Sequence, residues 1–267
     1  MSEGLHSFTP EQFLLLYIML MVLAAALSWS IAIFLRSAGL VREVSDADEL
    51  AILARGRRRF GETAITRLLK NRIITLNPSN TFSLYRPGLA QSGVDVALAN
   101  ATPCNWKALL KAAKPYAEQT EHSLIADGLI MGGPSFALLR LLVILPFLAL
   151  TVFCGSRLMM DLAQDRPVGL LTLLLVVTFG AALVRYRAAD RRTNAGIAII
   201  KQMKKENQRL RRWPTADELP QAVALFGTVA LVGSSFDRVH KTRDPASRLG
   251  WLIAGADGGQ GGGGFGS

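Results

Sequence analysis

Three stretches of the chain run apolar without an internal charge: residues 13–35, 141–155 and 168–184. Hydrocarbon offers no partner for backbone N–H and C=O groups, so runs of this kind are satisfied as helices that cross a bilayer. The second and third runs are separated by a short polar turn, residues 156–167, and bracketed by Arg140, Arg185 and Arg187. They predict a transmembrane hairpin with spans at 138–155 and 168–184. Pro146 should kink the first of these without breaking it, and the shorter last run needs local thinning or snorkelling of its flanking arginines. The first run, 13–35, follows a segment that carries Glu3 and Glu11 and no Lys or Arg, and it stops at Arg36. A secretory signal would have a basic leader and a shorter apolar core, so this run predicts a retained first span. Tyr17 and Trp29 are expected near the headgroups.

Between the first and second spans the pattern changes from continuous to periodic. Ser45-Asp46-Ala47-Asp48 predicts a capped helix through Arg55, with Leu50, Ile52, Leu53 and Ala54 apolar. A second helix is predicted over 61–72. Ile73–Leu76, the turn residues Asn77-Pro78-Ser79-Asn80, and Thr81–Tyr85 then read as strand, turn, strand. A helix pair closed by a hairpin predicts a winged-helix-like unit. Further helices are expected at 94–101, 106–114 and 116–127, and the run Leu124–Met131 echoes Leu68–Leu76, suggesting a degenerate repeat of the unit.

Beyond the hairpin of spans, residues 185–213 predict one basic helix leaving the membrane, with Ile197, Ile200, Met203 and Leu210 on one side. Pro214 and the Thr215-Ala-Asp-Glu218 pattern end it. The apolar run 219–233 is short and contains Pro220, Gly227 and Gly233, which predicts a helix buried against the folded domain rather than a fourth span. Residues 255–267 are mostly glycine and are expected to be disordered.

Charge supplies an orientation. The chain has 30 Lys and Arg against 20 Asp and Glu, a net charge of +10 and a mean hydropathy of +0.29. Residues 36–137 carry thirteen basic against nine acidic side chains, and residues 185–213 carry ten against two. Basic segments stay cytoplasmic. The expected organisation is therefore residues 1–12 outside, 13–35 spanning, 36–137 as a cytoplasmic winged-helix-like domain, 138–155 spanning, 156–167 outside, 168–184 spanning, 185–254 cytoplasmic, and the tail 255–267. The fold class expected is a mainly α, multi-pass inner-membrane protein with three spans and a small α domain carrying a β hairpin.

The block "DELAILARGRRRFGETAITRLLKNRIITL", placed between a first span and a later hairpin of spans and followed by "AVALFG" and a glycine-rich end, resembles an uncharacterised family of bacterial multi-span membrane proteins. The resemblance covers most of the chain and implies its topology; it implies no activity. Members of that family end in a tail rich in both glycine and cysteine, whereas residues 255–267 contain no cysteine.

The sequence presents no catalytic constellation. His6, His122 and His240 are scattered, and no hydrolase elbow, phosphate loop or metal-binding spacing occurs. Cys104 and Cys154 provide no disulfide framework. No catalytic residue, cofactor or metal is therefore expected. The candidate site is a basic one, for contact with an anionic surface: Arg57, Arg58, Arg59, Arg67, Lys70 and Arg72 around the second cytoplasmic helix, and Lys201, Lys204 and Lys205 beyond the hairpin. Basic helix pairs enter the DNA major groove, but linkers of about ten residues reach roughly 33 Å at most and hold the domain against the bilayer, where the same arginines can face lipid headgroups. The expected partners are the lipid bilayer and a protein, with nucleic acid unlikely and the oligomeric state open. The function expected is a protein-interaction or assembly component; the alternative is a membrane-tethered DNA-binding regulator.

Overall fold

A computed structural model describes residues 10–40, 42–90, 92–163 and 169–242. The expected tail at 255–267, the first nine residues and the segment 164–168 lie outside the described residues. The chain divides into two compact units, Met1–Ser37 with Gly132–Arg191, and Ala38–Met131 with Arg192–Ser267.

The first unit holds three helices long and apolar enough to cross a membrane: α1 (Pro10–Phe34), then, later in the chain, Gly133–Leu162 and Gly169–Arg187. Their outward faces are apolar, as spans in hydrocarbon require, and Leu15, Met19, Val22, Val152, Val176 and Phe179 are all exposed. Phe13, Tyr17, Ala24, Phe147, Leu150, Cys154 and Ala182 pack between the helices. The helix from Gly133 to Leu162 is 30 residues, about 45 Å at 1.5 Å per residue. Residues 156–162, expected in a polar turn, are its last two turns. Arg157 and Asp161 stand at i and i+4, 3.4 Å apart, and the Arg157 guanidinium lies over the Phe13 ring at 5.5 Å, so charges read as loop charges are accommodated on a helix. Tyr17, expected at the headgroups, is fully buried and shares a hydrogen bond with Thr178. Ser30, Thr151 and Thr178 each donate to the carbonyl four residues earlier, which satisfies their hydroxyls within their own helices.

The second unit is helical with one small hairpin. It contains α2 (Ala47–Arg55), α3 (Arg57–Lys70), β1 (Ile74–Leu76), β2 (Phe82–Leu84), α4 (Gly93–Asn100) and α5 (Trp106–Ala126) before the two later apolar helices, α6 (Gly133–Leu162) and α7 (Gly169–Arg187); after them come α8 (Asn194–Glu206), α9 (Leu219–Phe226) and α10 (Asp237–Thr242). Asp46 caps α2 by accepting from the Asp48 N–H. Only Gly56, at φ 74°, separates α2 from α3, so the second helix starts four residues before the expected Gly61. Strands β1 and β2 pair antiparallel with Ile74 opposite Leu84 and Leu76 opposite Phe82, and Asn80 takes φ 60° in the turn. α5 runs through Pro115 as one helix where two were expected. Pro115 is exposed while Ala113 and Ala117 are buried, so the carbonyl freed by the missing N–H faces water and the packed face stays continuous.

The expected single helix over 185–213 is broken. α7 ends at Arg187, Thr193 caps α8 by accepting from the Gly196 N–H at 3.2 Å, and Arg192 forms an isolated β-bridge with Ile130. The Thr215–Glu218 pattern closes one turn on itself: the Glu218 carboxylate accepts from the Thr215 N–H at 2.9 Å and its hydroxyl at 2.7 Å.

The echo between Leu68–Leu76 and Leu124–Met131 has a local cause. Both helices end in the same cap: Ile73 N–H donates to Leu68 O and Leu129 N–H to Leu124 O, each at 2.9 Å, with Arg72 at φ 54° and Gly128 at φ 71° in the left-handed position. That is the Schellman arrangement. After the first cap the chain makes a hairpin; after the second, Ile130 makes only a bridge, so the two stretches share a helix ending.

The core of this unit is built on α3. Ten of its fourteen residues are buried, enclosed by α2, α5 and α9. Gly61 allows α5 to approach closely, since a Cβ there would lie 2.6 Å from a Leu110 methyl. Leu219, Val223, Ala224 and Leu225 of α9 join Leu50, Leu53, Ile65 and Leu68 in one cluster. A segment that follows all three apolar helices thus completes a core begun between the first two.

Candidate basic surface

The arginines around α3 have partners from the same unit. Arg67 makes a forked contact to Asp48 in the first turn of α2, at 2.8 and 2.9 Å, and a second to Asp95 in the first turn of α4, at 3.0 and 3.1 Å. Planar guanidinium donors match carboxylate geometry, and acids at helix N-termini also suit the helix dipole. Burial raises the Asp48 pKa, which Arg67 partly offsets. Burial of Arg67 itself works against its charge, but the two carboxylates together hold its pKa above the usual value.

Arg57 reaches across to α5, where Glu118 and Glu121 stand at i and i+3 and both accept from it. Arg59 is 7 % exposed and Glu62 1 %. The Arg59 guanidinium donates to Val223 O of α9 at 2.9 Å and lies 3.5 Å from Glu62, with Arg58 at the same distance on the other carboxylate oxygen. Lys70 pairs with Asp217 at 2.9 Å. Arg72 is exposed at the end of α3. Of the six candidates around α3, then, Arg59 and Arg67 are interior ties, Arg57, Arg58 and Lys70 are half committed to carboxylates, and Arg72 faces outward.

The candidates on α8 differ. Lys201 and Lys205 are exposed, and Lys204 is half-buried. Burial, then the positive charges of Arg192, Arg59 and Arg55, holds the Lys204 ammonium below the usual lysine range. No carboxylate is among those influences. Arg192 approaches Leu53 O at the C-terminal end of α2 at 3.4 Å, and Arg55 is exposed in the last turn of that helix, positions that complement the negative end of a helix. By sequence alone Arg55 marks only the end of the first cytoplasmic helix and Arg192 has no role; their convergence with Lys204 comes from chain segments far apart, and no local spacing signals it. The outcome is a patch of Arg55, Lys201, Lys204 and Lys205, with Arg192 and Arg59 behind it. Such a patch can hold an anionic group by charge-assisted hydrogen bonds. A perturbed lysine of this kind marks a candidate functional site.

Among the described residues no group of three or more His, Cys, Asp or Glu side chains could hold a metal ion, and His240 shares a 3.1 Å contact with Thr228. Cys104 and Cys154 are both free, and burial raises the Cys104 thiol pKa. Comparisons of the chain with protein-family models, with curated proteins and with solved structures each found no match.

Proposed function

We propose that this protein is a multi-pass inner-membrane interaction or assembly component, with its N-terminus outside and its helical domain on the cytoplasmic side, where it meets a protein partner. The observation that carries this reading is the enclosure of α3. In a DNA-binding regulator the helix that precedes the hairpin would present side chains to a groove, and here ten of that helix's fourteen residues are buried. The winged-helix-like description belongs to this reading only as an order of elements, helix, helix, hairpin, with α3 as the structural centre. The patch of Arg55, Lys201, Lys204 and Lys205 is the surface we assign to the partner, whose matching face is acidic. This reading assigns no catalytic step to the chain.

The basic ends of α1, α6 and α7 supply the orientation. Ser79 in the hairpin turn and Ala163 at the end of α6 are both exposed. In a cysteine-free background, S79C should resist a membrane-impermeant thiol reagent in intact cells and A163C should react; the reverse pattern inverts the topology. For the function, a photo-crosslinking residue at Lys201 of the full chain in native membranes should give a discrete protein adduct that is lost when Lys204 and Lys205 are changed to Glu. If the full chain in nanodiscs instead prefers one duplex sequence at physiological salt, the regulator becomes the better account.

A further inference from the structure

From Thr63 to Val94 the sequence has no Asp or Glu, and the hairpin in that stretch ends in a surface that the core does not use. Alternation puts Phe82 and Leu84 of β2 on one face, yet Phe82 is fully buried and Leu84, paired across the hairpin with Ile74, is exposed. Tyr85 and Leu89 are exposed as well, so three large apolar side chains stand 42–55 % open to solvent within one short segment. The Ile73 carbonyl accepts from the Tyr85 N–H at 2.8 Å and the Arg86 N–H at 3.2 Å, which sets this segment beside Arg72. The Arg86 guanidinium lies 5.3 Å from the centre of the Tyr85 ring, and the Leu89 N–H donates to the Arg86 carbonyl at 3.4 Å, closing a turn. Arg72, Leu84, Tyr85, Arg86 and Leu89 thus share one end of the hairpin. Arg72 and Arg86 are both exposed, and neither pairs with a carboxylate among the described residues. Asp217, brought to the end of α3 from far along the chain, is held by Lys70 at 2.9 Å.

Leucine and tyrosine edged by arginines have the chemistry of a membrane interface. Leucine enters the apolar layer, a tyrosine ring lies at headgroup level, and guanidinium groups reach phosphates while their stems stay with the acyl chains. Five side chains make a weak contact for a protein free in solution. Here residues 35–46 and 127–132 join the unit to helices that we read as spans. Such a tether raises the effective concentration of the bilayer, so a weak attraction suffices. We propose that Leu84, Tyr85 and Leu89, with Arg72 and Arg86, dock this domain on an anionic bilayer surface, the apolar side chains entering the interface and both guanidinium groups facing lipid phosphates. The docking rests on the membrane reading above, uses none of the residues of the α8 patch, and leaves that patch to the protein partner.

The test uses the full chain in nanodiscs of phosphatidylcholine, with or without phosphatidylglycerol, and a nitroxide on a single cysteine in a cysteine-free background. Gly88, where an added Cβ meets nothing within 4 Å, carries the reporter as G88C. Its relaxation by oxygen, which concentrates in lipid, relative to that by a water-confined nickel chelate should be severalfold higher with phosphatidylglycerol than without, and R72Q/R86Q should remove the difference. A label at H122C should stay in water in both discs, because Trp106 packs on Phe82 and His122 lies farther along α5 by about 24 Å at 1.5 Å per residue. A G88C label equally water-exposed in both discs, a double variant that behaves as the wild type, or an H122C label as lipid-exposed as G88C overturns the proposal. Shielding of G88C from both reagents assigns the surface to a protein, and loss of its lipid contact on adding duplex DNA at physiological salt assigns it to nucleic acid; either result also overturns the docking. V176C, on an exposed position of α7, keeps the two readings apart. If its label is lipid-exposed while that of G88C is not, the docking alone falls; if V176C is itself in water, the span reading falls and takes the docking with it. Should the double variant fail to fold, R86Q alone must lower the G88C ratio, and an unchanged ratio refutes the assignment.

Discussion

Gly227 leaves space that the guanidinium of Arg59 occupies. A Cβ at position 227 would lie 2.7 Å from Arg59 Cζ and closer still to Nη1. The glycine ends α9 at φ 88°, and both its N–H and the Arg59 guanidinium donate to Val223 O. One carbonyl at the end of α9 thus receives its own helix cap and a buried arginine from α3.

Replacing Gly227 by Ala should therefore cost about 3 kcal/mol, from strain at a backbone conformation reserved for glycine together with displacement of a bonded, buried arginine. Thermal unfolding of the full chain in detergent should show a clear fall in Tm. An alanine variant as stable as the wild type would mean that α9 shifts freely on α3.

Arg67 joins the first turns of α2 and α4 through Asp48 and Asp95. Arg67→Gln leaves two largely buried carboxylates without their cation and should cost about 3 kcal/mol near neutral pH. The penalty depends on pH. Asp48 has a raised pKa in the folded state because burial disfavours its charge, and Arg67 opposes that shift. Without Arg67 the folded pKa rises further, so the folded variant takes up a proton more readily than the unfolded chain as pH falls. The difference in Tm between wild type and variant should accordingly shrink from pH 7 to pH 4. A difference that grows on acidification would rule out this account of the triad.

Arg72 holds the left-handed position that glycine occupies at Gly128 in the matching cap. A Cβ in that conformation costs about 1 kcal/mol. Arg72→Gly should raise stability by up to about that amount, less the extra freedom glycine gives the unfolded chain, and leave the hairpin register intact. Gly128→Arg should do the opposite. If both substitutions lower Tm alike, Arg72 contributes contacts that outweigh its backbone strain.

Burial, then the positive charges of Arg192, Arg59 and Arg55, disfavours the charged form of Lys204. Its folded pKa lies below the unfolded value, so at pH 7 the charged form is a liability that would be relieved only as pH rises through the folded pKa. Lys204→Met keeps the apolar stem and should raise Tm at pH 7 while abolishing the crosslink from Lys201. Gain of stability with loss of binding is the expected trade at a surface shaped for a partner. A drop in Tm would show that the ammonium is satisfied where it stands.

Much of the architecture was legible locally. Long uncharged runs signal the three apolar helices because hydrocarbon leaves the backbone no alternative. The Asp46 cap, the hairpin of Ile74–Leu76 with Phe82–Leu84, and the short helix that opens with Leu219 and Pro220 follow from neighbours within a few residues. Hydrophobic periodicity shows that a helix has an apolar face, but it carries no information about what covers that face. Only the tertiary structure decided that α9, which follows the three apolar helices, closes the core on α3, and that α5 passes through Pro115 because the proline faces outward. The basic residues illustrate the same limit. Counting Arg57, Arg59, Arg67 and Lys70 as one surface treats each charge as free, whereas their partners Glu121, Glu62, Asp95 and Asp217 come from separations that run from one helix turn (Glu62) to more than a hundred positions (Asp217). Charge compensation falls off with distance in space rather than along the chain, so the fold had to bring the carboxylates in before the patch left over, Arg55 with Lys201, Lys204 and Lys205, could be told from the arginines that hold the domain together.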